Sequence, residues 1–195
     1  MRIGLFFGSF NPVHVGHMII ANYMITHADI EKLWMVVSPH NPHKVKKSLA
    51  NNYDRLNLIK TAIGEHDYIS ASDIEFNLPV PSYTIDTLTY LNEKYPQHTF
   101  SLIMGGDNLY NFHKWKNYEL LLDRHEILVY KRPTHEVPEI ASHPNIQIFD
   151  APMLNISSSY IRAEIAAERS IRYLVPDSIH DIVMSIRTYT LSKSQ

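Results

Sequence analysis

The sequence predicts an α/β fold in which a doubly wound parallel sheet carries helices on both faces and is followed by C-terminal helices. Two observations support this prediction: apolar runs alternate with amphipathic segments, and the runs are hydrophobic at successive positions rather than at every second one. Such runs are typical of strands buried on both faces of a parallel sheet. The length of 195 residues suits one domain, so residues 1–195 are expected to form a single domain.

Four apolar runs are the predicted strands, and they lie at residues 3–7, 33–37, 100–104 and 126–130. Between them, apolar residues recur every three or four positions, which predicts amphipathic helices. These helices cover residues 15–28, 54–63 and 82–95, and two more close the chain, one beginning in NISSSYIR and one over 178–189. The alternation of strand and helix predicts right-handed crossovers and a Rossmann-like sheet.

Composition excludes several classes of protein. With 18 Lys and Arg against 20 Asp and Glu, the net charge of −2 gives no basic field for a nucleic-acid polymer. The absence of cysteine excludes disulfides, thiolate zinc sites and cysteine nucleophiles, and it suits the cytoplasm. No apolar stretch approaches the roughly 18 residues of a membrane helix, and the opening run is expected to be a core strand, not a signal peptide. The oligomeric state stays open, a homo-oligomer included.

The turn after the first run, GSFNPVHVGH, is the strongest candidate site. Gly8 permits close backbone approach, Pro12 stiffens the loop, and the two histidines fall at the start of a helix, where free N–H groups favour anions. His14 and His17 could instead be a metal pair or two solvated side chains. A metal site needs a third ligand that the local sequence does not supply, so no metal held by the protein alone is expected. The favoured interpretation is a phosphate site.

Other strand-end loops also carry polar residues, and ligands of such sheets bind beyond the carboxyl ends of the strands. In NISSSYIR, Ser158 is expected to cap the following helix and to place Arg162 in its first turn, as a second anion site. In SPHNPHKVKK, Lys44 is a point charge that can neutralise phosphate. Neither GxxxxGK[ST] nor, after the first run, GxGxxG occurs, which disfavours P-loop NTPases and nicotinamide-dependent oxidoreductases.

Two of these segments resemble the signatures of the HxGH nucleotidyltransferase superfamily. The first signature, GxFxPxHxGH, is matched by Gly8, Phe10, Pro12, His14, Gly16 and His17. The second, ISSTxIR, is matched by Ile156, Ser157, Ser158, Ile161 and Arg162, with Ser159 where threonine is usual. Serine keeps the hydroxyl group, so the departure is small.

The middle of the chain resembles bacterial nicotinate-nucleotide adenylyltransferases. The matching segments are PHK at 42–44, PSYTIDTL at 81–88 and GGDNLYNFHKW at 105–115, so the resemblance spans most of the chain. That family joins ATP to nicotinic acid mononucleotide and releases pyrophosphate. The resemblance therefore implies these two substrates, together with a Mg²⁺ ion that is held largely by ATP and water.

The same resemblance assigns a role to each matching residue. His14 and His17 contact the ATP phosphates, with His17 nearest the α-phosphate. Trp115 stacks on the pyridine ring, backbone amides near Thr84 receive its carboxylate, and Asp107 accepts from a ribose hydroxyl unless it caps a helix. The implied catalytic residues are His14, His17, Lys44 and Arg162. The implied ATP ligands are Gly8, Ser9, Phe10, His14, His17, Gly105, Asp107, Ile156, Ser157, Ser158 and Arg162. The implied nicotinate-nucleotide ligands are Lys44, Thr84 and Trp115.

The sequence leaves two alternative functions open. A sister transferase would act on nicotinamide mononucleotide or phosphopantetheine, or would use CTP. A regulatory module would keep the fold and bind a nucleotide without turnover.

Overall fold

A six-stranded parallel sheet forms the centre of the computed structural model, which describes residues 1–39, 49–132 and 138–190. The spatial order of the strands is β3-β2-β1-β4-β5-β6, and all neighbouring pairs are parallel. The strands are β1 (Arg2–Gly8), β2 (Lys32–Val37), β3 (Ile69–Ser72), β4 (Thr99–Gly105), β5 (Ile127–Tyr130) and β6 (Ile146–Phe149). The predicted doubly wound α/β fold is confirmed.

The two outer strands were not predicted from the sequence. Both β3 and β6 have only four residues, and each buries one residue and leaves the rest partly or fully exposed. A strand at the edge of a sheet has a neighbour on one side only, so ISAS and IQIF lack the uninterrupted apolar run that marks a central strand. The four central strands lie where the sequence places them.

Eight α-helices occur in the described part of the chain, and the three predicted between strands are confirmed. The helices are α1 (Val15–His27), α2 (Asn52–Ile63), α3 (Thr84–Lys94), α4 (Gly106–Tyr110), α5 (Tyr118–Arg124), α6 (Ser158–Ala166), α7 (His180–Ser185) and α8 (Arg187–Thr190). The predicted helix over 178–189 is wrong as one element. Ile186 adopts an extended backbone between α7 and α8 and so breaks it.

The core lies in two layers, one on each face of the sheet. Successive strand residues point to opposite faces. On β2, Met35 belongs to the layer formed with α1, α2 and the C-terminal helices, whereas Val36 belongs to the layer formed with α3 and α5. Helices therefore cover both faces, as predicted. No helix in the described ranges is long and apolar enough to cross a membrane.

A buried carboxyl group connects the segment after β3 to α3. Glu75 is only 2% exposed, and its Oε1 accepts a hydrogen bond of 2.8 Å from the Thr87 hydroxyl. Burial raises the pKa of Glu75 because the ionised carboxylate loses its hydration. The native state therefore favours the protonated form more strongly than the unfolded chain does.

We expect Glu75→Gln to raise the melting temperature relative to the wild type, by an amount that grows between pH 4 and pH 8. A carboxyl group whose pKa is raised on folding loses stability as pH rises through its ordinary value of 4.5 and then through the native value. Glutamine keeps the shape and stays neutral throughout. Thermal unfolding over a pH series tests this, and a difference that stays constant with pH would contradict it.

Candidate active site

A cavity of about 650 Å³ opens at the carboxyl edge of the sheet. Its walls come from the ends of β1 and β5, the start of α1, the beginning of α4 and the beginning of α6. From β1 the chain first builds the sheet on one side through β2 and β3, and then on the other side through β4. Ligands of open α/β sheets bind at such a reversal of strand order, so this cavity is the candidate site.

The loop between β1 and α1 is shaped by an aromatic ring. Phe10 is 1% exposed, adopts a left-handed backbone with φ of 44°, and meets the ring of His17 edge to face with centroids 5.0 Å apart. A Cβ atom at position 8 would lie 2.8 Å from the Phe10 ring. Gly8 is therefore required for the close approach of Phe10, which is a reason that the sequence does not reveal.

The two histidines stand at the start of α1, as predicted. His14 occupies the N-cap position with an extended backbone, and its N–H donates a 3.2 Å hydrogen bond to Nδ1 of His17. The two rings lie 3.7 Å apart between centroids. Because Nδ1 of His17 accepts this hydrogen bond, the neutral His17 ring carries its proton on Nε2, which makes Nε2 a donor.

Burial keeps His14 neutral. The residue is 6% exposed, and burial, followed by the positive charge of Arg132, lowers the pKa of His14 to about 4. Its Nδ1 has no hydrogen-bond partner among the described residues. A Cβ atom at Gly16 would lie 3.1 Å from this Nδ1, so glycine at this position leaves room for the ring. At neutral pH the uncharged ring has one N–H donor available for an anion.

The second signature meets the first across the cavity, but its capping residue differs from the prediction. Ser157, not Ser158, is the N-cap of α6, and its Oγ accepts a 3.1 Å hydrogen bond from the Tyr160 N–H. Ser158 is the first helical residue, and its hydroxyl donates to the Pro12 carbonyl at 2.9 Å. The expected cap at Ser158 is wrong because this hydroxyl donates to the loop between β1 and α1, residues 9–14, which we call the histidine loop.

Arg162 lies one residue further along α6 than the sequence suggests, because the helix begins one residue earlier. It is the fifth residue of the helix, so its expected place in the first turn is wrong. One of its Nη atoms donates to the Asn11 carbonyl at 2.7 Å, and the other donates to the Ser159 hydroxyl at 3.3 Å. The side chain still lines the cavity, because this contact draws it towards the loop between β1 and α1.

Arg132 is a cavity residue that the sequence analysis missed. It follows β5, lies above the ring of Tyr130, and places its Nε 3.1 Å from Oδ1 of Asp107. Asp107 lines the cavity and is the second residue of α4, whose N-cap is Gly105, so its alternative as a helix cap is wrong. The position of Arg132 two residues after a predicted strand was the available signal.

Of the eleven sequence-predicted ATP ligands, all but Gly105 line this cavity. A Cβ atom at Gly105 would collide with Oδ1 of Asp107, so this glycine gives clearance to a residue that does line it. The lining set comprises Gly8, Ser9, Phe10, His14, His17, Asp107, Ile156, Ser157, Ser158 and Arg162. Their roles as ligands stay predictions, whereas their common location is a feature of the structure.

The two residues predicted to bind the pyridine ring lie outside this cavity. Thr84 is the first residue of α3, and Trp115 is half-buried against Phe112 with ring centroids 5.4 Å apart. Lys116 brings their segments side by side, since its Nζ lies 2.8 Å from Oδ2 of Asp86 and 4.8 Å from the centroid of the Tyr83 ring. Lys44, the third predicted nicotinate-nucleotide ligand, lies outside the described residues.

The charges around the cavity favour an anionic ligand. Arg132 and Arg162 line it, against Asp107, and the neutral His14 adds a hydrogen-bond donor. Within residues 1–39, 49–132 and 138–190 no group of three or more His, Asp or Glu side chains could hold a metal ion. The arginines and N–H donors of the cavity therefore fit phosphate oxygens.

We expect the His14 ring to titrate near pH 4 in the free protein, and inorganic pyrophosphate to raise this pKa. Burial opposes the charged ring in the free protein, and a neighbouring anion favours it. NMR titration of the histidine ring signals measures both values, and the signal missing from His14→Gln identifies the residue. A free-protein titration near the ordinary value of 6.5 would contradict the burial described above.

The chain is similar to known proteins in both sequence and fold. The family model described as cytidylyltransferase-like matches residues 5–164. Curated relatives named "Probable nicotinate-nucleotide adenylyltransferase" include one from Cytophaga hutchinsonii, 48% identical over 97% of this chain and 99% of its own. Another, from Flavobacterium johnsoniae, is 50% identical over 94% and 96%. The solved Plasmodium falciparum nicotinic acid mononucleotide adenylyltransferase complexed with APC shares the fold, with a TM-score of 0.82, 21% identity and 99% coverage of both chains. The chain therefore belongs to the nicotinate-nucleotide adenylyltransferases of the cytidylyltransferase-like family.

Proposed function

We propose that this protein transfers the adenylyl group of ATP to nicotinic acid mononucleotide, giving nicotinic acid adenine dinucleotide and pyrophosphate for NAD synthesis. The observation that supports this most directly is the meeting of two remote signatures in one cavity. Ser158 and Arg162 contact the loop that leads to His14 and His17, at the switch point of the sheet. The family to which the chain belongs, and the names of its relatives, support the same substrates.

For this reaction the protein needs to position the two substrates and to stabilise negative charge on the phosphate, and it forms no covalent bond to either substrate. A phosphate oxygen of the mononucleotide attacks the α-phosphorus of ATP, a new P–O bond forms, and the bond to the β-phosphate oxygen breaks in line. Pyrophosphate leaves with the electron pair. Negative charge on the α-phosphoryl oxygens grows in the transition state, so fixed donors facing that group accelerate the reaction.

The histidines are proposed as those donors. The Nε2–H of His17, fixed by the contact of its Nδ1 with the His14 backbone, donates to an α-phosphate oxygen. His14 is held neutral by burial and supplies a second N–H. Arg162 lines the cavity from α6 and balances the charge of the β- and γ-phosphates. Fixed donors of this kind need no rearrangement when charge develops.

The pyridine ring is proposed to bind between Trp115 and the start of α3, which Lys116 connects through Asp86 and Tyr83. Trp115 offers a half-buried face for stacking, and the first turn of α3, beginning at Thr84, offers backbone N–H groups to the carboxylate. A carboxylate only accepts hydrogen bonds, whereas a carboxamide also donates, so such a site prefers the acid. Lys44 is proposed to neutralise phosphate where the two substrates meet.

Magnesium is proposed as the accompanying ion. It would be held by ATP oxygens and water, because the described cavity residues offer cations and N–H donors rather than a set of carboxylates. Bound there, it would neutralise charge on the phosphates. We further propose that residues 1–195 form a single nucleotidyltransferase domain that works in the cytoplasm.

Pyrophosphate release in parallel reactions tests the substrate assignment. Each reaction contains Mg²⁺ and ATP with nicotinic acid mononucleotide, nicotinamide mononucleotide or phosphopantetheine. We expect the fastest release with the first, because the proposed carboxylate site consists of N–H donors. Faster turnover of either of the other two would identify a sister transferase, and no release with any would indicate a binding module.

Replacing His17 by alanine should lower kcat by about 10²–10³, because one preorganised donor to the transition state is lost. The fold should remain, since the ring stands at a cavity wall. His27→Ala, at the exposed opposite end of α1, is the matched control and should leave kcat unchanged. Steady-state pyrophosphate release provides the measurement, and near-wild-type turnover of His17→Ala would refute the assigned role.

A further inference from the structure

A fully buried arginine lies behind the wall of the cavity. Arg55 on α2 is 0% exposed, and no carboxylate pairs with it among the described residues. Its guanidinium donates instead to three backbone carbonyls: Nε to Ala50 at 3.1 Å, and one Nη to Ser9 at 2.5 Å and to Ser38 at 3.0 Å. The other Nη donates to Oδ1 of Asn52 at 2.7 Å. Four of the five guanidinium N–H groups thus have an acceptor.

The carbonyls that receive these bonds belong to separate segments of the carboxyl edge. Ser9 lies in the loop that leads to the histidines, Ser38 follows β2, and Ala50 precedes α2. Both Ser9 and Ser38 line the cavity. Arg55 therefore contacts, from behind, two residues that line the cavity.

Asn11 extends this network to the C-terminal helices. It is 4% exposed, and its Oδ1 accepts from the Ala50 N–H at 3.0 Å and from the Tyr189 hydroxyl at 2.9 Å. Its carbonyl accepts from Arg162 at 2.7 Å. Ala50 thus connects Arg55 to Asn11 through its carbonyl and its N–H, and Asn11 stands three residues before His14.

Because burying the Arg55 cation costs free energy, we infer that the residue does more than fill the core. Burying a charge without an opposite charge is expensive, and an apolar side chain of similar volume would fill the core without that cost. Burial lowers the pKa of Arg55 to about 10, so the group is still charged at neutral pH. What an apolar residue cannot do is hold three backbone segments in a fixed mutual position.

We propose that Arg55 is a positioning residue: through the carbonyls of Ser9 and Ser38, and through Asn11, it sets the position of the histidine loop and hence of His17 against the reacting phosphate. Arg55 touches no substrate. The inference rests on the proposed function, because it assigns Arg55 to the same site.

Arg55→Lys is the primary variant, since lysine keeps the charge but lacks the planar set of donors that reaches several carbonyls. We expect kcat to fall about 10- to 100-fold with a smaller change in the KM for ATP, because a displaced donor mainly affects the transition state. Tyr189→Phe removes a single hydroxyl from Asn11 and should shift kcat in the same direction by less. It serves as the second variant should Arg55→Lys fold poorly.

A destabilised control variant distinguishes displacement of the histidine loop from a general loss of protein stability. Leu91 is fully buried on α3 in the opposite core layer and does not contact the loop. Leu91→Ala therefore lowers the melting temperature without disturbing the loop directly. Its kcat should stay within about twofold of the wild type at temperatures well below unfolding. If Arg55→Lys and Leu91→Ala show equal kcat at matched distance from their melting temperatures, the positioning role is refuted.

A double-mutant cycle with His17→Ala gives the sharpest test. If Arg55 acts through His17, then Arg55→Lys should lower kcat by less than about threefold when His17 is already absent. Equal effects in both backgrounds would overturn the inference. A readout without turnover is the NMR titration of His14. Loosening of the loop in Arg55→Lys should move its pKa from about 4 towards 6.5, and an unchanged value would refute the inference even if wild-type turnover were lacking.

Discussion

The hydrogen bonds from α6 to the loop before α1 are the contacts on which the rest of the site depends. Ser158 reaches the Pro12 carbonyl across 146 residues, and Arg162 reaches the Asn11 carbonyl across 151. No local segment can form this site alone, because its two halves come from opposite ends of the chain. The completed sheet brings these two ends of the chain together, so the position of Arg162 against the histidines depends on the whole fold.

Electrostatics and burial act together in the cavity. An ionised histidine would attract phosphate more strongly, but the buried ring of His14 is neutral and so keeps one nitrogen as an acceptor. Full positive charge comes instead from Arg132 and Arg162, which stand at the cavity wall. In the proposed reaction these groups have two separate tasks: the arginines attract the triphosphate, and the neutral donors of fixed direction stabilise the charge that develops on it.

The sequence predicted the central strands and the cavity residues better than the details of their contacts. Uninterrupted apolar runs identify β1, β2, β4 and β5, whereas the short edge strands β3 and β6 lack that pattern. Three successive serines were equivalent candidates for a cap, and the choice of Ser157 follows from the contact of Ser158 with Pro12. Arg55 could not be predicted, because an arginine in an amphipathic helix is ordinarily exposed and its acceptors are backbone atoms of distant segments.

The contacts of Arg55 with main-chain oxygens have a consequence for how this site can vary over evolution. Carbonyl groups are present whatever the side chain, so positions 9 and 38 can exchange residues without loss of an acceptor. The arginine has no such freedom, because no other side chain offers the same planar set of donors. A single arginine can thus hold the loop in place whatever side chains stand at positions 9 and 38, so these positions can vary without loss of its hydrogen bonds.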